Sequence, residues 1–309
     1  MEQARASVTA LGAALMRAVH TRASASPLIA DPWGDRLVLE DERDQVRNVV
    51  LNGLRQDDRA RCEKLGTPNA VLDCALQAHP GYGWAVLRTR YAEDTLQLAV
   101  ERGTRQYVIV GAGLDSFALL QPSFARDVEV FEIDYPATQD LKRRRLTDCG
   151  VPAPPWLHFV PADLSQEQIS DVLASSAFRF TQLAFFSWLG VTQYLTREAN
   201  LSTLRGIAAC AGPGSELVFT YVEQDALSSN RESTSVARIQ GAFAAAREPW
   251  LSGFDPSELA EDLAAVGLLL VEDLNGQDAK NRYCRGRGND LNPIGPSHIV
   301  RATVRSGLE

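Results

Sequence analysis

The segment Tyr107-Val108-Ile109-Val110-Gly111-Ala112-Gly113-Leu114-Asp115-Ser116 constrains this chain more than any other. A short, near-continuous apolar run suits a strand buried on both faces of a sheet. The glycines that follow permit positive φ and let the backbone approach a ligand closely. In open α/β sheets, the junction between such a strand and its turn is where ligands bind.

Similar runs recur at residues 128–133, 157–160, 183–186 and 216–220, with helical stretches between them. Strands alternating with helices predict right-handed crossovers and a doubly wound, mostly parallel sheet. One intervening helix is well marked: Thr196 caps it, Glu198 suits its first turn, and Gly212-Pro213 follows its end. Residues 268–272 and 299–304 complete the sheet. The first hundred residues read as helical, over 8–22, 36–48, 71–77 and about 84–102. The last of these carries an apolar stripe of Ala92, Leu96, Ala99 and Val100, with Gly103 at its C-terminal cap. His79-Pro80-Gly81-Tyr82-Gly83 reads as the loop before it. After residue 220 the alternation breaks. Residues 223–235 are polar, 236–247 look helical, and 275–296, rich in Gly, Asn and Arg, read as loops.

Composition narrows the function. A net charge of −8 argues against nucleic acid as a partner, since phosphate binding needs a basic surface. The basic run Lys142, Arg143, Arg144, Arg145 reads as the solvated end of a helix after Tyr135. Five scattered cysteines without a CxxC pair predict neither a disulfide framework nor a zinc site, and point to a reducing, cytoplasmic compartment with no metal. Residues 10–19 are mildly apolar, but Arg5, Arg17 and Arg22 fit an amphipathic helix better than a signal peptide. No apolar run has the length needed to span a bilayer, so a membrane is not an expected partner.

The chemistry starts with Asp134, at the end of the second strand and about twenty residues beyond the glycines. From there a carboxylate hydrogen-bonds a ribose diol, in a dinucleotide or in S-adenosylmethionine alike. Two details tilt the choice toward the latter. Ser116 stands where the dinucleotide fingerprint wants Gly or Ala, and the helix that follows is short, ending near Pro122. After the third strand, Asp163-Leu164 suits an adenine, with the carboxylate on the exocyclic amine and the apolar side chain on the ring face. An ordinary helix cap at Asp163 is the plainer alternative. Arg88 falls on the stripe of Ala92 and Leu96, so its charge needs an anionic partner. The methionyl carboxylate supplies one, as would an internal salt bridge to Asp115 or Glu132. Arg90 points elsewhere, in a structural role.

These motifs, with Arg88-Thr89-Arg90-Tyr91, Glu132-Ile133-Asp134-Tyr135-Pro136, Ala162-Asp163-Leu164 and Trp188-Leu189-Gly190-Val191-Thr192-Gln193-Tyr194-Leu195, resemble the leucine carboxyl methyltransferase-like family. The resemblance covers roughly residues 10 to 305 and is closest to the bacterial branch that includes polyketide carboxyl methyltransferases. It implies a Rossmann-like class I methyltransferase with S-adenosyl-L-methionine as cofactor. It assigns the cofactor carboxylate to Arg88, the methionyl part to the turn at Gly111, Ala112 and Gly113, the ribose to Asp134, and the adenine to Asp163 and Leu164. Leu189, also placed at the cofactor, stands where relatives that act on protein C-termini carry an acidic residue. A small-molecule acceptor, methylated on a carboxylate or hydroxyl oxygen, is therefore expected. Tyr82, Trp188, Gln193 and Tyr194 are candidate substrate residues, and His79 and Tyr194 candidate catalytic ones. One methyltransferase domain is expected over 1–309: a helical cap (1–83), a cofactor-binding core (84–222), an insertion (223–256) and the end of the sheet (257–309). An NAD(P)-dependent oxidoreductase and a non-catalytic cofactor-binding scaffold are the alternatives.

Overall fold

The computed structural model describes residues 7–227, 241, 248–285, 291–293 and 295–305. The helix expected over 236–247 lies, apart from residue 241, outside them. Five helices come first: α1 (Val8–Ala23), α2 (Gly34–Leu37), α3 (Glu40–Gly53), α4 (Gln56–Glu63) and α5 (Pro68–Ala78). Ser7 caps α1 by accepting from the Ala10 N–H, and Thr67 caps α5 by accepting from Ala70. Between 36 and 53 the helical signal divides. Arg36 belongs to α2, and α3 begins at Glu40, where the Glu42 carboxylate accepts the Leu39 N–H at 3.0 Å.

The long helix α6 (Gly81–Glu101) starts earlier than the glycines suggested. His79 Nδ1 accepts the Gly81 N–H at 3.0 Å and the His79 carbonyl accepts that of Tyr82, so residues 81–83 form a first turn rather than a loop. Then β1 (Gln106–Val110), α7 (Phe117–Leu120), β2 (Glu129–Asp134), α8 (Pro136–Asp148), β3 (Leu157–Pro161), α9 (Ile169–Ala174), β4 (Ala184–Trp188), α10 (Arg197–Cys210) and β5 (Glu216–Val222) alternate as the pattern predicted. The chain closes with α11 (Leu259–Ala265), β6 (Leu268–Leu274), α12 (Gly276–Tyr283) and β7 (Ser297–Val304). Helix α12 corrects the reading of 275–296 as loops. The Asn275 side chain accepts from both Gln277 N and Asp278 N, and that cap starts a helix in a segment whose composition suggests none.

The strands form one sheet in the order β3-β2-β1-β4-β5-β7-β6. Pairs from β3 through β5 are parallel, while β7 runs antiparallel to both β5 and β6. The strand order reverses between β1 and β4, which opens a crevice at their C-terminal ends. Alternate residues divide the core. Val108, Val110, Phe186 and Phe219 face α9, α10 and α11, whereas Tyr107, Ile109, Phe185 and Val218 face α6. A third cluster joins α1, α3 and α5 to Leu114, Leu141 and Leu146 at the edge of the crevice.

Two further expectations fail. Cys62 and Cys74 are disulfide-bonded, because the hairpin of α4 and α5 brings their Cα atoms to 5.4 Å. Their spacing matches no familiar motif, so only the fold reveals the pair. The basic run is solvated at Arg143 and Arg144 but not at its other two residues. Lys142, 1% exposed, pairs with Glu132, also 1% exposed, at 2.6 Å and donates to the Asp115 carbonyl, while Arg145 turns inward to Glu42 at 2.7 Å. The α8 face that carries them packs against β2 and the cap. Lys142→Met leaves the Glu132 carboxylate buried and uncompensated, so it should destabilise the protein by about 3–5 kcal/mol in urea denaturation. A cost within about 0.5 kcal/mol, typical of a surface change, would return Lys142 to the solvated reading.

Candidate active site

The crevice holds two adjoining cavities. The first, of about 220 Å³, lies over the ends of β1 and β4 and is lined by Gly111, Ala112, Gly113, Asp134, Ser187, Leu189 and Val191, with α1 above. The second, of about 140 Å³, is mostly apolar. Its walls come from Met16, Val50, Trp84, Tyr221, Val222 and Trp250. Thr9, Ala13, Arg88, Gly190 and Tyr194 line both.

The glycine turn is shaped by its neighbours. The Ile133 carbonyl accepts the N–H groups of Gly111 and Ala112, at 2.8 and 3.1 Å, as the chain leaves β1. Gly111 has φ of +68°, and a Cβ there would meet Val191 Cγ2 at 2.5 Å. Asp134 Oδ2 accepts the Gly113 N–H at 2.6 Å, and Oδ1 accepts that of Tyr135. Burial raises the Asp134 pKa despite those bonds. The Thr138 side chain adds a third hydrogen bond, which leaves acceptor capacity for a ligand hydroxyl.

Arg88 lies at the junction. Asp115 Oδ1 is taken by the Phe117 N–H and Glu132 by Lys142, so neither carboxylate forms the internal salt bridge weighed from the sequence. Among the described residues no carboxylate pairs with Arg88. Burial and the nearby Arg17 lower its pKa to about 10, which leaves it charged at neutral pH. Its guanidinium lies against Gly190, φ +72°, where a Cβ would come within 2.2 Å of Nη1. Arg90 instead pairs with Asp94 at 2.8 Å and donates to the Leu28 carbonyl.

Other candidates fall elsewhere. Trp188 is fully buried among Phe186, Phe219 and α10, because strand alternation sends Ser187 and Leu189 to the cavity side and Trp188 to the opposite one. Tyr82 lies off the stripe Gly81, Trp84, Ala85, Arg88 that faces the second cavity, and its hydroxyl meets His20 Nδ1 at 3.4 Å. Asp163 and Leu164 follow β3 outside the lining of either cavity. Asp163 Oδ1 there accepts from Ser165 N at 3.0 Å and Ser165 Oγ at 2.6 Å, closing a turn. His79, Gln193 and Tyr194 do line the second cavity. Burial lowers the His79 pKa to about 4, so the ring is neutral at pH 7. Burial raises that of the Tyr194 phenol.

The sequence reading missed Thr9, Trp84, Tyr221, Trp250 and Gly190. The stripe shared with Arg88 could have found Trp84. Gly190 stands inside the motif of residues 188–195, whereas Thr9, Tyr221 and Trp250 come from α1, β5 and the segment after it, and only tertiary packing brings them together.

The sequence profile of the leucine carboxyl methyltransferase family matches residues 10–208. The chain belongs to that family. A relative from Bacillus subtilis, YktD, named as an S-adenosyl-L-methionine-dependent methyltransferase, is 32% identical over 99% of this chain and all of its own. Another from Mycobacteroides abscessus, named likewise, is 29% identical over 95% of this chain and 85% of its own. In fold, the chain is similar to a methyltransferase from Thermobifida fusca, with TM-score 0.56, 14% identity, and 95% and 94% of the two chains covered. The protein is an S-adenosyl-L-methionine-dependent methyltransferase.

The first cavity of this methyltransferase fits that molecule: a charged guanidinium without a carboxylate at one end, a buried acid at the other, and a turn kept free of side chains between them. Arg88→Ala should therefore weaken S-adenosylmethionine by about 1.5–3 kcal/mol, the usual loss for a charged hydrogen-bonding partner. Binding of 5′-methylthioadenosine, which has no carboxylate, should hold within a factor of about two, well under 1 kcal/mol. Calorimetry that finds equal losses for the two ligands would make Arg88 a structural residue.

Proposed function

We propose that this enzyme methylates a carboxylate oxygen of a small, largely apolar acid, a metabolite of the polyketide type. The carrying observation is the character of the second cavity. It is walled by Trp84, Tyr221, Trp250, Met16 and Val50, and ends on the Arg88 cation at its border with the first. An apolar pocket with a few convergent polar groups is the usual form of a small-molecule site. The cation favours an anionic reacting group.

The available bases point the same way. A carboxylate, with pKa about 4, is ionised at neutral pH and attacks without one, whereas a phenol at about 10 needs a base within hydrogen-bond reach. His79 is the imidazole lining the cavity, and its Nδ1 already accepts the Gly81 N–H. In the neutral ring the proton then sits on Nε2, which makes that nitrogen a donor. Tyr194, with a raised pKa, stays protonated as well.

In this reading Arg88 holds the methionyl carboxylate, the backbone of Gly111 to Gly113 passes beside the methionyl chain, and Leu189 packs against it. Asp134 receives the ribose hydroxyls, and Asp163 and Leu164 the adenine, beyond the cavity's present lining. S-adenosylmethionine supplies a sulfonium methyl group. The acceptor oxygen bonds to the methyl carbon as the methyl–sulfur bond breaks, and the electron pair stays on sulfur, with no proton moved. The protein's part is to hold the two reactants in line in a dry cleft, where orientation supplies much of the rate.

A product labelled with radioactive methyl should release volatile methanol in mild base, as a methyl ester does and an aryl ether or methylamine does not. With a carboxylate acceptor, kcat/KM should also stay level between about pH 6 and 8, since the acid (pKa about 4) is already ionised. A base-stable label with a rate climbing through that range, and lost in His79→Ala, would identify a hydroxyl acceptor instead.

A further inference from the structure

We infer that Cys62 and Cys74 form a reversible thiol–disulfide switch that couples the redox state of the surroundings to the order of the helical cap beside the second cavity, whichever acceptor the enzyme methylates.

Helix α4 depends on that bond. Its eight residues are strongly polar, and Cys62 is the single buried one. Across residues 55–69 every other side chain is exposed, apart from the partly buried Asp58. The ion pairs of α4 stay within the helix, Arg59 with Glu63 at 2.8 Å and Arg61 with Asp58 at 3.1 Å. Such exposed pairs contribute little. A helix shorter than about 12 residues is marginal in water even with good helix formers. Two things therefore keep α4 on the cap. One is the bond to Cys74 on α5, and the other is the place of Cys62 in the cluster that holds Leu54, Leu72 and Leu76.

The same weakness makes the bond accessible. Cys74 is only partly buried, and a helix with so little packing opens locally at small cost. Reduction is then an ordinary exchange. The thiolate of a small thiol such as glutathione attacks one sulfur, the bond between the cysteines breaks, and a mixed disulfide forms. A second thiolate attacks that mixed disulfide and releases the small-molecule disulfide. Two electrons and two protons have passed to Cys62 and Cys74, and the small-molecule disulfide reverses the exchange.

The consequence has a direction. Helix α3, which precedes the hairpin, brings Val50 to the second cavity, and α5 leads into His79, Pro80 and Gly81 of the same wall. Among the described residues, none of α3, α4 or α5 lines the first cavity. The last turn of α5 sets the histidine, since the His79 N–H donates to the Leu76 carbonyl at 3.2 Å. A bond between cysteines 12 residues apart restricts the chain between them. Opening it frees α4, removes the clamp from the middle of α5, and loosens one wall of the second cavity while the first is left as it was.

The test uses the whole protein, equilibrated with mixtures of reduced and oxidised glutathione and quenched with acid. After denaturation it should show three free thiols at the oxidising end and all five at the reducing end. At the reducing end, hydrogen exchange should quicken by about tenfold or more over residues 56–65, and roughly two- to fivefold at His79, Gly81 and Tyr82. Calorimetric affinity for S-adenosylhomocysteine should stay within about a factor of two between the two states. Cys62→Ala combined with Cys74→Ala should exchange like the reduced parent in either buffer, and the glutathione series on the parent carries the test if that variant does not fold. A bond that resists glutathione in the folded protein, or equal exchange in both states, would overturn the switch and make the pair a static staple. Affinity for S-adenosylhomocysteine that falls on reduction would overturn its restriction to the second cavity. A protein that binds S-adenosylhomocysteine in neither state would instead overturn the cofactor reading of the first cavity.

Discussion

The geometry of the crevice depends on a buried ionic node between the helical cap and the glycine turn. Asp31 Oδ2 receives Arg17 Nε and Ser116 Oγ, each at 2.6 Å, while Arg17 Nη2 donates to the Leu114 carbonyl at 3.0 Å. Asp31 Oδ1 accepts the Trp33 N–H, and the Asp31 N–H donates to Thr21. Arg17 and Asp31 are nearly inaccessible to solvent. Two charges buried this deeply are retained only if each is fully bonded, and here each partner belongs to a different segment. The node locks α1 over the turn that follows β1, so the roof of both cavities and the floor of one are set by the same bonds. It also explains Ser116. Glycine or alanine at that position would leave Asp31 with one acceptor site unfilled.

Arg88 shows the opposite use of a buried cation. Arg17 is neutralised and structural, whereas Arg88, nearby on α6, has no carboxylate among the described residues. Leaving a guanidinium in this state costs stability, and the two like charges add to the cost. Gly190 shares the burden. Only a residue without a Cβ lets the guanidinium lie against the backbone at the end of β4. A fold that keeps such an arrangement stores binding energy for an anion, and it stores it where the two cavities meet.

The sheet was legible from the sequence because parallel strands buried on both faces leave short apolar runs that little else imitates. The lining of the first cavity was legible for a related reason: glycines, an acid and an arginine stand in fixed relation to those strands and meet at their ends. What escaped was set by side-chain direction and by distant partners. Trp188 sits next in sequence to two cavity residues, yet pleating turns it into the core. Lys142 sits in a run of basic residues, but its position on α8 points it at Glu132. Cys62 and Cys74 meet only because α4 and α5 fold back on each other. Thr9, Tyr221 and Trp250 come from three separate stretches of chain, and no local pattern marks them.

The two cavities are not independent sites. Five residues, from α1, α6 and the turn after β4, belong to both walls, and two of them are the groups with most chemical consequence, Arg88 and Tyr194. In the proposed reading, a methionyl carboxylate drawn to Arg88 would neutralise the cation at the edge of the second cavity, so an ionised acceptor would gain less from it once the first is filled. An apolar acceptor tail would at the same time exclude water from the junction, where the Coulomb attraction of Arg88 for its carboxylate is stronger. The two effects oppose each other, and by linkage their balance must be the same whichever ligand binds first. The coupling of donor and acceptor is therefore set by one arginine in a wall that two pockets share.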